Sequence, residues 1–524
     1  MKQKRSWLEL LSEKTVMLIV LVIAASFVVE AARHTYRVHA TDAIEQMGID
    51  PVRQVLYAVV MIVGLFFLSK VCLWGTRDAA QQKKRVRILM IADLIAVGAL
   101  LGLYTAKTHI PGHWDQLQVY YFARQFIEGD YSGMNYAYLR IYPHQYGLIF
   151  LESLVLRVWN SYHALQYCNV LFVVGIIFGI YSIAEILFDR AEISLYSLFV
   201  CTFFLPMHLF VNYIYGDLCA PCMAILVVWA FIRYLRTDKY RYFAIMTLAS
   251  VVGTLAKKNV MILFIAMLIL CAIEALVQKS PKLLLIGFLP LCLSFASLKC
   301  VNLYYEQVSG NEIAKGVPSS AWIVMGVSDD GEGSIGIFNG YNEAVWNAVG
   351  GDLDKVNLDI QEVFAEKEQE FRADPDYAKE FFRYKVYEQW IDPSFSALNE
   401  TAKGITEELS AENKVVAWVY SDEVTEAIYR FMSHMIFLIY LGVLIYAIRG
   451  MICRSDMTEL IFPVAFIGGY LLSIVWEAKG KYVISYVIYM IPYMSAGICL
   501  LQSKVITLFE KKESPDDAGS SATP

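Results

Sequence analysis

The sequence predicts an all-α polytopic membrane protein with about twelve transmembrane helices. Three observations predict it. Hydrophobic residues make up 57% of the 524 and charged residues only 18%, where a soluble protein of this size carries roughly 25% charged. The apolar residues come in runs of about 17 to 20, the length that crosses a hydrocarbon core roughly 30 Å thick. Inside that core each backbone N–H and C=O must be paired within its own segment, so each run should be a helix.

In order, the runs are 15–33, 55–74, 87–105, 165–187, 192–212, 218–236, 241–257, 259–277, 282–299, 429–448, 457–475 and 482–502. The first follows a basic N-terminus, as a signal peptide would. It lacks a small-residue cleavage site and closes at Glu30 to Arg33, so it is read as a retained helix. Residues 145–159 are apolar but short, and they contain Glu152 and Arg157. They are read as a helix lying at the membrane surface.

Lys and Arg favour cytoplasmic loops. The segments 1–14, 75–87, 188–191, 233–241, 278–282, 449–454 and 503–524 carry 21 of them, and the opposite short segments carry 11 over more residues. Both termini are therefore expected in the cytoplasm of a cell-membrane protein. Five sections follow from this reading: an N-terminal two-helix membrane hairpin with its basic loop (1–86), a membrane core with a large outer loop at 106–164 (87–300), an outer insert (301–428), the C-terminal membrane helices (429–502) and a polar tail (503–524). The insert carries 25 Asp and Glu against nine Lys and Arg, while the rest of the chain has a charge of +10. It reads as a soluble, mainly helical extracytoplasmic domain, with helix from about 352 to 390 and a Gly/Ser-rich loop at 326–340. Trp322 to Gly326 and Lys385 to Pro393 are expected to form its own core. Asn399-Glu400-Thr401 is a glycosylation sequon. The end of the tail, from Glu513, reads as disordered.

The ten cysteines imply no disulfide framework, since the insert has none. Cys219 and Cys222 form a CxxC without metal or redox partners, and read as small residues in a helix interface.

Five polar clusters fall on the outer side. Asp115 lies in the first turn of an amphipathic segment that runs from His113 to Gly129. Its apolar face is read as Leu117, Tyr120, Tyr121, Phe126 and Ile127, and Gly129 suits its stop. Next come Arg140, Tyr142, Pro143 and His144 in an aromatic turn. Tyr213, Tyr215 and Asp217 join two spans. Lys257 and Lys258 sit in a tight turn where positive charge is not expected. Glu477, Lys479, Lys481 and Tyr482 form the last outer turn. Each has a plain alternative: a helix cap for Asp115 and Asp217, an aromatic belt for the tyrosines, snorkelling for the lysines. Random snorkelling would spread such groups over both faces. Convergence of carboxylates and lysines on one face suggests a site for a phosphorylated substrate near the lipid headgroups.

The order of these features resembles the GT-C membrane glycosyltransferases, in particular bacterial polyprenyl-phosphate-sugar transferases akin to protein O-mannosyltransferases and the lipid A aminoarabinose transferase. The resemblance covers roughly 87–300 and 457–502. It makes Asp115 the first-loop acid at the reaction centre, although the acidic pair common there is Asp115-Gln116 here. Asp217 matches the acid of the second outer loop. Pro143 matches a proline usually doubled, with His144 in the second place. Lys257 resembles the base that meets the carrier phosphate, and Lys481-Tyr482 a basic-Tyr pair near the end. The resemblance implies a GT-C-like fold and transfer of a sugar from a lipid-linked donor to an extracytoplasmic acceptor. Asp115 would act as base, and Lys257, Lys258, Arg140 or His144 would stabilise the departing phosphate. It leaves room for a divalent cation (Mg or Mn) between Asp115 and Asp217. Membrane lipids are the other expected partners, and nucleic acid is not one.

Two further classes share the polytopic form. A transporter or flippase for lipid-linked sugars would show repeats and midplane charges, and neither is visible. A structural glycolipid-binding protein would not need Asp115. A cell-wall polymer ligase or polymerase is a nearer rival, separable by a diphosphate rather than monophosphate leaving group.

Overall fold

The computed structural model describes residues 6–39, 42–76, 78–329 and 335–513. Among them ten helices are long and apolar enough to cross a membrane: Trp7–Ala31, Pro51–Cys72, Ala79–Thr108, Tyr162–Phe188, Cys219–Thr237, Lys258–Gln278, Pro281–Ser309, Asp422–Ile452, Met457–Val475 and Gly480–Val505. The run 192–212 is a bent pair, Ala191–Thr202 and Leu205–Asn212, meeting at 48°. The run 241–257 is the shorter apolar helix Tyr240–Ala256. Each of the twelve apolar runs is thus helical, and the chain is an all-α, multi-pass membrane protein apart from one small hairpin. Residues 514–524, most of the expected disordered tail, lie outside the described residues.

Local chemistry sets the helix ends. Ser6 and Glu9 cap the first helix reciprocally. The Asp50 side chain accepts from the Val52 N–H, and Pro51, which has no N–H to satisfy, opens the second helix. At the C-terminal ends of Tyr162–Phe188 and Cys219–Thr237, Asp189 and Asp238 adopt the left-handed conformation. Each also pairs with a lysine of another helix, Lys83 at 2.6 Å and Lys282 at 3.0 Å.

The last helix is the hub. Its apolar window is 89% buried, against 17% for Pro51–Cys72, and it packs on Asp422–Ile452, Ala191–Thr202 and Ile461–Val475. Gly497 and Gly442 let it approach Asp422–Ile452, since a Cβ on Gly497 would meet the Gly442 carbonyl. The first two helices do not pair mainly with each other. Both lie against Asp422–Ile452. Cys219 and Cys222 are buried and free, and Cys222 fills the space beside Gly175, as expected of a helix interface.

Two features depart from the sequence reading. His34–Val38 and Ile44–Gly48 form an antiparallel hairpin. The insert is also less separate than its charge implies. Its helices include Ser320–Gly326, Tyr341–Ala348, Leu353–Ala373, Pro375–Ile391 and Ala397–Ala402. The helix expected over 352–390 is broken at Asp374, which caps the Tyr377 N–H while Pro375 begins the second piece. Val324, Val345, Trp346, Val356 and Ile360 form a small core that also takes in Ile141 and Tyr142 of the first outer loop.

Val386, Trp390, Ile391 and Phe395 belong instead to the core of the membrane helices. The expectation that Trp322–Gly326 and Lys385–Pro393 pack only among themselves is therefore corrected. The reason is a helix end. The last carbonyls of Ile461–Val475 need donors, and Lys385 gives its ammonium to Ile474 O at 2.9 Å and Gln389 its amide to Ser473 O at 3.1 Å. Trp390 Nε1 donates to Ser473 Oγ at 2.9 Å. Lys385 also bonds the Gly326 carbonyl, so it ties two insert segments to one membrane helix.

Candidate functional site

The first outer loop places Asp115. His113 is extended and Trp114 sits at φ 42°, a conformation costing a bulky residue about 1–3 kcal/mol. The helix Trp114–Ile127 follows, and Gly129 at φ 83° ends the turn after it. Its buried face is Gln116, Val119, Tyr120, Phe122, Ala123 and Phe126, so Tyr121, expected inside, is exposed. The helix packs on Tyr146–Leu156. At 11 residues that helix is too short to span a core of roughly 30 Å. Asp115 is exposed and makes no cap. It accepts a hydrogen bond from the Tyr215 hydroxyl at 3.2 Å. Gln116, in the place of a second acid, is buried, and its amide oxygen accepts from Tyr162 OH at 3.0 Å and Ile214 N at 3.1 Å.

The second outer loop brings Tyr213, Tyr215 and Asp217. Asn169 gathers the loop through the carbonyls of Phe210, Val211 and Tyr213. Gly216 adopts φ 80°, and a Cβ there would stand 2.6 Å from the Ala256 carbonyl. Gly147 meets Leu255 O in the same way at 2.7 Å. Two loops thus press on the turn that carries Lys257. Asp217 is buried and pairs with Lys257, so it is not a cap either. Lys257 also lies 5.4 Å from the Tyr482 ring centre and 5.8 Å from that of Tyr215.

The last outer turn adds Glu477, Lys479, Lys481 and Tyr482. Lys481, 7% exposed, donates to Tyr213 OH and to Glu400, each at 2.7 Å. Its ammonium stands 4.9 Å from the Tyr213 ring centre and 5.5 Å from that of Tyr215. Such rings stabilise a cation that water has left. Lys479 binds the other Glu400 oxygen at 2.8 Å, and Lys403 lies 3.4 Å from it. Burial alone would raise the Glu400 carboxyl, but Lys479, Lys481 and Lys403 overrule it and hold it well below the usual carboxylate range. Burial pushes Glu477 up to about 7, against the pull of Lys479 and Lys481.

The aromatic turn closes one wall. Tyr142 OH donates to Glu343 at 2.9 Å. Tyr142 and His144 meet Trp322 edge-on, and Trp322 stacks on Trp476 with ring centres 5.9 Å apart. Burial, with Lys258 adding, lowers His144 to about 3, so its imidazole is neutral near pH 7. Gln145 reaches Tyr215 OH. Beside the turn, an apolar groove of about 570 Å3 is lined by Phe150, Leu154, Leu255, Val301 and Tyr305, with Arg157 among its few polar groups.

The structure therefore gathers Asp115, Asp217, Lys257, Lys481 and Tyr482 into one network, with Glu477, Tyr142 and His144 around it. Arg140 and Lys258 are exposed, and their side chains stand outside the hydrogen bonds described. Sequence reasoning missed Glu400 as a site residue. It saw only a sequon, yet Asn399 is 2% exposed and gives its amide to His39 O. No local pattern around Glu400, in a run of small and polar residues, signals its role.

Among the described residues no group of three or more His, Cys, Asp or Glu is placed to hold a metal ion. Asp217 has an ammonium on one oxygen, and its other, buried oxygen makes no hydrogen bond among the described residues. In comparisons with known proteins, no family model and no curated protein matches this chain.

Proposed function

We propose that this protein is a GT-C-like membrane glycosyltransferase that moves a sugar from a polyprenyl-phosphate carrier to an extracytoplasmic acceptor, a glycan, lipid or protein of the cell envelope. One observation carries the reading. An exposed carboxylate, Asp115, and two largely buried ammonium groups, Lys257 and Lys481, converge through Tyr213 and Tyr215 from four distant segments.

In this reading Asp115 takes the proton of the acceptor hydroxyl. The acceptor oxygen bonds to the anomeric carbon as the bond to the phosphate oxygen breaks, with inversion. The electron pair stays on the carrier phosphate, a weak base that needs charge stabilisation more than a proton. Lys257 and Lys481 are the groups placed to supply it. Exposed Arg140 and Lys258 act at the rim, and neutral His144 offers an N–H rather than a charge. The apolar groove reaches Leu255, two residues before Lys257, which suits an isoprenoid chain whose phosphate lies at the lysines. No step is routed through a divalent ion.

The test is transfer from radiolabelled polyprenyl-phosphate sugars by purified wild type and Asp115→Asn. Wild type is expected to transfer label and the variant to lose it. Equal transfer by both overturns Asp115 as base. No transfer from any monophosphate or diphosphate donor overturns the transferase reading in favour of a transporter, and transfer from diphosphate donors alone makes the protein a polymer ligase or polymerase.

A further inference from the structure

Lys479 and Lys481 come from the last membrane helix and the turn before it, but the group that holds them comes from the insert. Glu400 is 5% exposed and uses both oxygens, one for each lysine. It stands on the six-residue helix Ala397–Ala402, whose placement is set by a buried knot. Asp392 accepts the Ser394 N–H at 2.8 Å on one oxygen and the Ser396 N–H at 2.6 Å on the other. Between them Phe395 and Ser396 both adopt positive φ, 47° and 62°. Two successive non-glycine residues there cost about 1–3 kcal/mol each, so the surroundings must enforce the shape. Gly480, between the two lysines in sequence, permits it: a Cβ would stand 2.9 Å from the Phe395 backbone. The insert's knot is thus docked on the residue between the two cations.

We propose that Glu400 is a positioning residue for an anionic phosphate: it spans the Lys479 and Lys481 ammonium groups, aims Lys481 over the Tyr213 and Tyr215 rings, and makes the insert an integral part of the binding site. This rests on the carrier-phosphate reading above. Each lysine arm has four rotatable bonds and costs entropy to immobilise. A carboxylate bridging both fixes them before the ligand arrives. Three lysines surround one Glu400 carboxylate, and the Asp42 carboxylate lies on Lys403 at the far edge. Lys479 and Lys481 therefore keep positive charge to offer. A phosphate monoester is the ligand class that would use it.

The test uses the full chain in detergent, with farnesyl monophosphate and farnesol as paired probes, and reads Kd for each. Wild type is expected to prefer the phosphate. Glu400→Gln keeps the shape but loses the negative charge, and its NH2 cannot accept from the second lysine; it is expected to lower that preference by about tenfold or more, a shift easily resolved as an affinity ratio. Farnesol binding should not move, which a merely structural defect would not spare. Glu400→Asp keeps the charge and shortens the arm by one methylene. It too should lose preference, and it carries the test if the amide variant does not fold. Unchanged preference in the folded variants overturns the positioning role and leaves the carrier-phosphate reading standing. A wild type that does not distinguish phosphate from alcohol overturns that reading itself.

Discussion

Asp115 and Asp217 carry the same side chain in opposite circumstances. Asp115 is exposed beside a tyrosine hydroxyl, so its loss should leave the fold intact. Asp115→Asn is expected to lower transfer by about 10²–10⁴-fold, the range of general-base catalysis, with unchanged thermal unfolding. Asp217 is the buried partner of Lys257, and its removal strands an ammonium. Asp217→Asn is expected to cost about 3–5 kcal/mol of stability, read from the same unfolding curves. Glu477 gives a pH signature. Burial raises its pKa to about 7, so between about pH 4.5 and 7 the folded protein keeps a proton that the unfolded chain has released. Its contribution to stability therefore falls as pH rises through that window. Subtracting the unfolding profile of Glu477→Gln from that of wild type should leave a difference that declines over this range. A flat difference would place Glu477 in contact with solvent.

At the scale of elements, the site is a meeting of loops held by backbone contacts. Gly216 and Gly147 let the second loop and the Tyr146–Leu156 helix press on the 255–257 turn. Gly216→Ala combines a positive φ with a clash against the Ala256 carbonyl. Overpacking alone costs about 1–3 kcal/mol, and here the strain lies between Asp217 and Lys257. The variant is expected to unfold earlier and to lose phosphate-ligand affinity together, measured on one preparation. These contacts explain what was legible in the sequence and what was not. The helices were legible because each solves its own backbone problem within about twenty residues. The hairpin His34–Val38/Ile44–Gly48 was not. It is short and polar, and long-range bonds anchor it: Asn399 to His39 O, and Lys403 to Asp42 at 2.6 Å.

At the scale of the molecule, exposed aromatics mark two rims. Trp7, Trp74 and Tyr240 lie at helix ends read as cytoplasmic, and Trp114, Trp159 and Trp418 at the opposite ends. Such girdles sit at membrane–water boundaries. The acidic insert is joined to the second rim through its own apolar residues. Trp390, Ile391 and Phe395 are at most 2% exposed because membrane helices cover them. Expressed alone, residues 310–421 are expected to aggregate or to lack a cooperative unfolding transition by circular dichroism. A soluble, cooperatively folding fragment would show that the insert is an independent domain after all.

The apolar runs, the break between them and the gathering of polar residues at one set of helix ends were determined by the sequence alone, because hydrophobic length and backbone pairing are local constraints. The tertiary structure decided which of those polar residues meet. It separated Asp115, open to solvent, from Asp217, locked to Lys257. It left Arg140 and Lys258 exposed. It also brought Glu400 from an insert read as a separate soluble domain into the lysine cluster. The physical reason is that a buried charge must find its counter-charge in space, and with Glu400 and Lys479 79 positions apart in the sequence no local pattern records the pairing.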